Sequence, residues 1–336
     1  MQTVFLNSKE IDQAVAFLKS GQVVAFPTET VYGLGADATN EEAVKKIFEA
    51  KGRPNDNPLI IHISNIDQLE RYVESVPEVA RTVINHFWPG PCTLILRKKG
   101  SIAPSVTGGL DTVGVRMPDH PVALELIEKA GVPLAAPSAN SSGKPSPTTA
   151  LHVTRDLNGK IQAIVDGGAT GVGLESTVLD LTNPERPTIL RPGGVTFEEL
   201  EHVLGEVWTD DHLTDASIAP KSPGMKYKHY SPEKPVWVLP ASLEQTIKVM
   251  DQLEKSGKKI GFLVSDEWFE QLSNDSRMGQ TLGEKKTPQQ AAARLFSSLR
   301  ALDDEDISLI LVEPYLKVGI GTAYMNRLEK AASRIL

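Results

Sequence analysis

The chain has 336 residues, of which 40% are hydrophobic and 23% charged, so it is a globular protein and not a mainly disordered one. Its length exceeds the roughly 250–300 residues at which single cores stop growing, which predicts two domains. The formal net charge of -8 argues against general nucleic-acid binding, and the single cysteine excludes an internal disulfide or a multi-cysteine metal site.

Helical and strand patterns alternate through the first two-thirds of the chain. Ser8 is placed to cap a helix that stops at Gly21, and Asn40 is placed to cap a second helix that ends before Gly52. A third helix is predicted over residues 77–90. Strands are predicted at residues 22–26, 58–64, 92–98, 112–117, 133–138, 163–168, 176–181 and 188–193. The excess of strands over helices predicts a mixed sheet in an α/β domain.

The composition changes near residue 207. A proline-rich segment without helical period follows, with cations concentrated in its second half. Beyond it, strands at 236–239, 259–265 and 307–313 alternate with helices at 242–256, at 288–301 and from Gly321. We therefore predict a first domain over residues 1–207, a linker over 208–234, and a small, Rossmann-like parallel α/β domain over 235–336.

Common catalytic and nucleotide-binding motifs are absent from the sequence. There is no GxxxxGK[ST] loop, no GxGxxG fingerprint, no HExxH helix and no GxSxG elbow. A protein that handles a nucleotide with this sequence does so without the usual phosphate cradle.

Two polar segments of the first domain are candidates for ligand binding. PTETVYGLG (27–35) presents Thr28, Thr30 and Tyr32 beside two glycines; it fits a ligand edge or a tight turn equally well. KGRPNDNPL (51–59) places Lys51 and Arg53 in a proline-stiffened loop, which suits phosphate binding, although helix-dipole compensation by Lys51 is the alternative.

Further candidates lie on or after predicted strands. Arg116 alternates with valines in TVGVRMP and requires either a buried acid or an anionic ligand. PLAAPSANSSGKPSPTT (133–149) is the richest loop in polar donors, and a plain surface loop is the alternative. ESTV (175–178), LRPG (190–193) and the basic, aromatic KSPGMKYKHYSP (221–232) complete the set.

These motifs, in this order, resemble the threonylcarbamoyl-AMP synthase (YrdC/Sua5) family over essentially the whole chain. KYKHYSP before a small α/β domain is similar to the longer Sua5 branch, in which the segment often reads KYRHYAP; Lys228 and Ser231 depart from that pattern. The resemblance implies that residues 1–207 form a catalytic domain of YrdC type, a twisted mixed-sheet α/β fold with an open, concave, basic face. It also implies synthesis of L-threonylcarbamoyladenylate and pyrophosphate from L-threonine, bicarbonate and ATP, for the t6A modification of tRNA position 37.

The resemblance also implies roles for individual residues. Lys51 and Arg53 would act on the reacting phosphates. Carried onto this sequence, the ATP site would comprise Lys51, Arg53, Asn57, Ser138, Asn140, Ser146, Arg191 and Tyr230. The threonine site would comprise Thr30, Tyr32, His62, Arg116, the backbone of Ala136, and Ser176, with Arg116 pairing the substrate carboxylate. Mg²⁺ would accompany ATP, and the product would pass to a tRNA threonylcarbamoyltransferase complex.

Two other functions remain as alternatives: an RNA-binding module that uses the concave face, and a carbamoyltransferase on the same fold. Direct binding of tRNA is left open. Because no apolar run approaches the roughly 20 residues that span a bilayer, we expect a cytoplasmic protein without a membrane partner. We also expect the linker to close over the active site as a lid, with Tyr230 and His229 reaching the nucleotide and Gly224 as the hinge.

Overall fold

The computed structural model describes residues 2–209, 229–273 and 277–336. These residues group into two compact units. Unit 1 comprises the first part of the chain except Gly143–Pro145 and Val172–Leu174, which group with the C-terminal residues in unit 2. The predicted boundaries at 207/208 and 234/235 stay a prediction, and most of the predicted linker lies outside the described residues. None of the described helices is long and apolar enough to cross a membrane.

Unit 1 is built on an 11-stranded sheet. Its strands are β1 Val4–Asn7, β2 Val24–Phe26, β3 Gly33–Asp37, β4 Ile60–His62, β5 Cys92–Arg97, β6 Thr112–Arg116, β7 Leu134–Ala135, β8 Ala163–Asp166, β9 Thr177–Asp180, β10 Thr188–Arg191 and β11 Trp208–Thr209. Their spatial order is β1-β8-β2-β3-β7-β4-β6-β5-β9-β10-β11. Parallel pairs such as β4–β6 and β5–β9 alternate with antiparallel pairs such as β5–β6 and β4–β7. The predicted mixed sheet is therefore confirmed.

The helices of unit 1 connect these strands. They are α1 Ile11–Lys19, α2 Glu41–Lys51, α3 Glu78–Phe87, α4 Pro104–Thr107, α5 Pro121–Ala130, α6 Ala150–Leu157 and α7 Phe197–Leu204, with a 3₁₀ helix at Ile66–Arg71. α2 follows its sequence signals: Asn40 Oδ1 accepts a hydrogen bond from Ala43 N, and Gly52 ends the helix with a φ of 63°.

The prediction that Ser8 caps α1 is wrong. Ser8 does not cap the helix, which begins at Ile11 after Glu10 and has no side-chain cap. The reason is a local turn in which Asn7 N donates to Glu10 Oε2 (2.9 Å) and Lys9 N donates to Asn7 Oδ1 (2.9 Å). These bonds move the start of the helix beyond Ser8.

Unit 2 contains a five-stranded sheet. Its elements are β12 Val236–Val238, α8 Leu243–Lys255, β13 Ile260–Val264, α9 Asp266–Leu272, β14 Met278–Thr281, α10 Pro288–Asp303, β15 Leu309–Val312, α11 Ile320–Ala331 and β16 Arg334–Ile335. The order is β14-β13-β15-β12-β16, and all neighbouring strands are parallel. The predicted parallel α/β domain is confirmed; α9, β14 and β16 were not among the predicted elements.

Candidate active site

Arg116, at the end of β6, is held by side-chain and main-chain partners. Its Nη1 donates to Thr30 Oγ1 (3.0 Å) and its Nε donates to Gly90 O (3.2 Å), while Nη2 lies 2.6 Å from Glu29 Oε2. Thr30 Oγ1 is also 2.8 Å from Thr28 Oγ1. Of the two partners that the sequence allows for a buried arginine, the structure shows an acid, Glu29.

His62 is the neighbour of Arg116 in the sheet, because β4 and β6 are parallel and pair these two residues in register. The imidazole is buried and packs edge-on against Phe26, with ring centroids 6.3 Å apart. Burial lowers the pKa of His62 to about 3, and the positive charge of Arg116 acts in the same direction. The ring is therefore neutral at physiological pH and can take part as a hydrogen-bonding group, not as a cation.

Ser176, just before β9, contacts Thr93 on β5 and Arg191 on β10. Its Oγ is 2.8 Å from Thr93 Oγ1, while Arg191 Nη2 donates to Ser176 O (2.9 Å) and to Ser176 Oγ (3.2 Å). This contact is close because Gly193 has no side chain: a Cβ there would stand 2.3 Å from Ser176 C and 2.3 Å from Thr177 N. The ESTV and LRPG motifs thus form one structural feature.

Lys51 ends α2 and reaches the loop after β7. Its Nζ donates to the main-chain oxygens of Ser138 and Asn140, each at 2.5 Å, and only 4% of the residue is exposed. Within the loop, Ser138 Oγ donates to Asn140 Oδ1 at 2.6 Å. Lys51 therefore fixes the 138–140 loop. Ala136, at the start of the same loop, donates its N–H to Ile60 O at 2.9 Å.

Arg53 folds onto its own loop. Its Nε donates to Asn57 O (3.3 Å) and its Nη2 donates to Pro58 O (3.1 Å). Asn57 is 2% exposed, and its Oδ1 accepts no hydrogen bond from the described residues. These contacts hold the guanidinium in place through backbone atoms, as a rigid anion-binding loop requires.

Two buried hydroxyl groups complete unit 1's candidate residues. Ser146 Oγ donates to Glu175 Oε1 at 2.5 Å. Tyr32 donates its phenol to Gly168 O at 2.7 Å and accepts from Gly167 N at 3.2 Å. Burial raises the pKa of Tyr32 to about 12. Tyr32 is thus a neutral structural anchor between the 27–35 motif and the loop after β8.

Main-chain hydrogen bonds bring the two most polar segments together. Tyr32 N donates to Pro147 O (2.8 Å), Leu34 N donates to Pro137 O (2.8 Å), and Ala139 N donates to Tyr32 O (2.8 Å). The sequence-predicted residues of unit 1 consequently lie on or beside consecutive strands of the order β3-β7-β4-β6-β5-β9-β10. Their division between ATP and threonine stays a prediction.

Tyr230 belongs to unit 2. It is 5% exposed, stacks on Phe296 with ring centroids 5.2 Å apart, and lies beneath Arg327, whose guanidinium carbon is 5.5 Å from the ring centroid. The φ of Tyr230 is 65°, a value that few residues other than glycine adopt. Most of the expected lid, including its hinge Gly224, lies outside the described residues, and the ATP contact of Tyr230 stays a prediction.

Sequence reasoning missed three residues that pair with predicted site residues, namely Glu29, Thr93 and Glu175. It also missed His120, which lies near Glu29. Glu29 and Glu175 lie inside motifs that had been singled out, PTETVYGLG and ESTV, and each neighbours a predicted site residue. Each of these carboxylates directly precedes a predicted ligand-binding hydroxyl residue in the sequence, and this adjacency could have identified them. Thr93 and His120 carried no such signal, because only strand pairing and loop packing bring them to the site.

Comparisons with known proteins agree over the whole chain. Residues 16–193 match the Sua5–YciO–YrdC family, described as "telomere recombination", and residues 195–333 match the threonylcarbamoyl-AMP synthase C-terminal domain. The chain is similar to the threonylcarbamoyl-AMP synthase of Bacillus subtilis, with 49% identity over 97% of this chain and 94% of that protein. It is also similar to the Schizosaccharomyces pombe synthase, with 42% identity over 92% of this chain and 85% of that protein.

A solved structure shows the same architecture. The crystal structure of Pyrococcus abyssi Sua5 complexed with L-threonine is 45% identical, covers 100% of this chain and 99% of its own, and superposes with a TM-score of 0.91. Together with the matched motifs, these similarities identify the chain as a member of the Sua5–YciO–YrdC family that also carries the threonylcarbamoyl-AMP synthase C-terminal domain.

Proposed function

We propose that this protein is an L-threonylcarbamoyladenylate synthase, which converts L-threonine, bicarbonate and ATP into L-threonylcarbamoyladenylate and pyrophosphate. The observation that carries the proposal is full-length similarity to synthases: 49% identity over 97% of the chain, with both domains matched. The 45% identical relative was solved with L-threonine bound, which supports the amino-acid substrate. This enzyme class transfers an AMP moiety to the carbamate of threonine.

The geometry of the site fits that chemistry. The threonine amine becomes a carbamate, and a carbamate oxygen then attacks the α-phosphate of ATP, so no protein nucleophile is required. Catalysis by positioning and charge neutralisation needs fixed cations. Lys51, Arg53 and Arg191 are each oriented by main-chain carbonyls and would face the triphosphate, while Arg116 would bind the carboxylate of threonine.

Neither alternative function is favoured. A carbamoyltransferase would need a further catalytic domain, whereas residues 195–333 match a synthase C-terminal domain. An RNA-binding module would not explain why Arg116 and Ser176 are buried, since RNA contacts require exposed side chains.

Metal, partner and location follow from the proposed reaction. Mg²⁺ enters as part of the MgATP substrate, since magnesium is commonly bound through substrate phosphates and only one or two carboxylates. The described residues contain no group of three or more His, Cys, Asp or Glu side chains that would hold a metal ion alone. The product passes to a tRNA threonylcarbamoyltransferase complex in the cytoplasm, where ATP and tRNA are available.

Substrate selectivity tests the proposal. Pyrophosphate release should require all three substrates and should be far faster with L-threonine than with L-valine, because a site that bonds a hydroxyl group strongly rejects the isostere lacking it. L-Serine, which keeps the hydroxyl, is the matched control and should be the better of the two analogues. Equal release with threonine and valine, or release without bicarbonate, would contradict the proposed activity.

A further inference from the structure

The carboxylate of Glu29 is buried and forms an ion pair with Arg116. Its side chain is 13% exposed, and neither oxygen accepts a hydrogen bond from the described residues, although Oε2 stands 2.6 Å from Arg116 Nη2. A carboxylate has about four acceptor positions, and buried polar groups are normally satisfied. The second oxygen, Oε1, is therefore a strong acceptor to which none of the described residues donates.

Arg116, which faces this carboxylate, is held in place by hydrogen bonds from its Nε and Nη1 atoms. Gly90 O accepts from Nε, and Thr30 Oγ1 accepts from Nη1. The Nη2 side is therefore the part of the guanidinium that receives a carboxylate, and Glu29 supplies it. An α-amino acid carries a carboxylate and an ammonium group on one carbon, so a site for it needs a cation and an anion side by side.

We propose that Glu29 binds the α-ammonium group of the substrate and accepts its proton, while the substrate carboxylate takes the place of Glu29 on Arg116. This inference rests on the proposed function and adds a residue to it. The incoming zwitterion exchanges one buried ion pair for two, so neither buried charge is left alone. Glu29 thus selects for an α-amine and prepares that amine for carbamate formation.

The proton transfer balances with the substrates of the reaction. The ammonium R–NH3⁺ gives one proton to the Glu29 carboxylate, which yields R–NH2 and a neutral carboxyl group. The free amine then combines with bicarbonate to form the carbamate R–NHCOO⁻ and one water molecule. No redox step or further co-reactant is needed. The proton leaves the carboxyl group after the carbamate has formed, which restores the charge on Glu29.

His120 is a further titratable group near Glu29. Its Nδ1 is buried and has no partner among the described residues, while the residue as a whole is half-buried. A Cβ on Gly167 would stand 3.2 Å from His120 Cε1 and 2.5 Å from Pro27 Cγ. His120 and Pro27, which is two residues before Glu29, therefore both lie close to Gly167. Burial lowers the pKa of His120, whereas the charges of Glu29 and Asp119 act in the opposite direction.

Two ligands that differ only at the amine distinguish binding of the ammonium group by Glu29 from a purely structural role of this residue. Binding of L-threonine and of 2,3-dihydroxybutanoate, which carries a hydroxyl in place of the amine, is measured by calorimetry without ATP. For Glu29→Gln we expect at least tenfold weaker threonine binding and less than twofold change for dihydroxybutanoate. Glu29→Asp, which keeps the charge, should retain the preference for threonine. Glu42→Gln, an exposed carboxylate on α2, is the control and should bind like the wild type.

Two results for Glu29→Gln would overturn the proposal. If binding of both ligands weakens equally, Glu29 only orients Arg116. If threonine binding is unchanged, Glu29 does not contact the substrate. Failure of the wild type to bind threonine would instead refute the proposed function. In the full reaction, the deficit of Glu29→Gln should shrink as the pH rises and the substrate amine deprotonates in solution. A deficit that does not change with pH would overturn the proton-transfer step.

Discussion

Gly193→Ala tests whether the close packing of the ESTV and LRPG motifs positions the active site. A Cβ at Gly193 would stand 2.3 Å from Ser176 C, 2.3 Å from Thr177 N and 2.4 Å from Glu175 O. Ordinary van der Waals contact begins at 3.4 Å, so the two segments must separate by about 1.1 Å. All three atoms belong to the backbone, and no side-chain rotation can relieve the overlap.

The expected loss follows from that displacement. Overpacking of this kind costs about 1–3 kcal/mol of unfolding free energy. The same movement shifts Ser176 relative to Arg191, whose guanidinium donates to its main-chain and side-chain oxygens. Because a misplacement of about 1 Å in an active site can cost about 100-fold in rate, we expect kcat/KM for threonine to fall by about that factor.

Thermal unfolding and steady-state pyrophosphate release measure the two effects on the same preparations. Gly171→Ala is the matched control, since a Cβ there meets no atom within 4 Å, and it should match the wild type in both assays. A Gly193→Ala protein with unchanged melting temperature and unchanged kcat/KM would refute the packing argument. Lower stability with full activity would show that this contact does not position the site.

Three further predictions concern single side chains. Arg53→Ala should raise KM for ATP roughly 10- to 150-fold with the fold intact, because a charge-assisted contact contributes roughly 1.5–3 kcal/mol; unchanged ATP kinetics would remove Arg53 from the site. The pKa of His62 is about 3 in the folded protein against an ordinary value of 6.5. Between these two pH values the unfolded chain binds a proton that the folded chain does not. The unfolding free energy therefore falls as the pH drops through that range, by on the order of 5 kcal/mol in all. His62→Gln should flatten that dependence in denaturant titrations, and an unaltered pH profile would contradict the burial argument. Tyr32→Phe should lower the unfolding free energy by about 1–3 kcal/mol because Gly167 N and Gly168 O lose their partner, and chemical denaturation with no shift would count against this role.

Local chemistry explains which parts of the fold could be predicted from the sequence. The helix between Asn40 and Gly52 was predicted correctly because both of its ends carry residues with a specific backbone preference. β3 was not predicted as a strand because Gly33 and Gly35 are poor strand formers. Gly35 lies there because a Cβ would stand 2.7 Å from Phe26 Cε1, a tertiary contact that no local pattern reveals.

The same distinction applies to the active site. The sequence predicted that Arg116 needs an anionic partner, since burying a lone charge is costly, but it did not identify Glu29 as that partner. The pairing of Thr93 with Ser176 depends on the neighbouring strands β5 and β9, which are far apart in sequence. Motifs therefore predicted the residue types of the site, and strand order determined which of them meet.

Mass spectrometry of the reaction product tests the central claim most directly. The protein is incubated with MgATP, L-threonine and ¹³C-labelled bicarbonate, and the quenched mixture is analysed for an adenylate that contains both threonine and the labelled carbon. We predict threonylcarbamoyladenylate carrying one ¹³C atom, formed together with an equal amount of pyrophosphate and absent when threonine is omitted. Pyrophosphate without the labelled adenylate, or an adenylate of threonine that lacks the label, would contradict the proposed function.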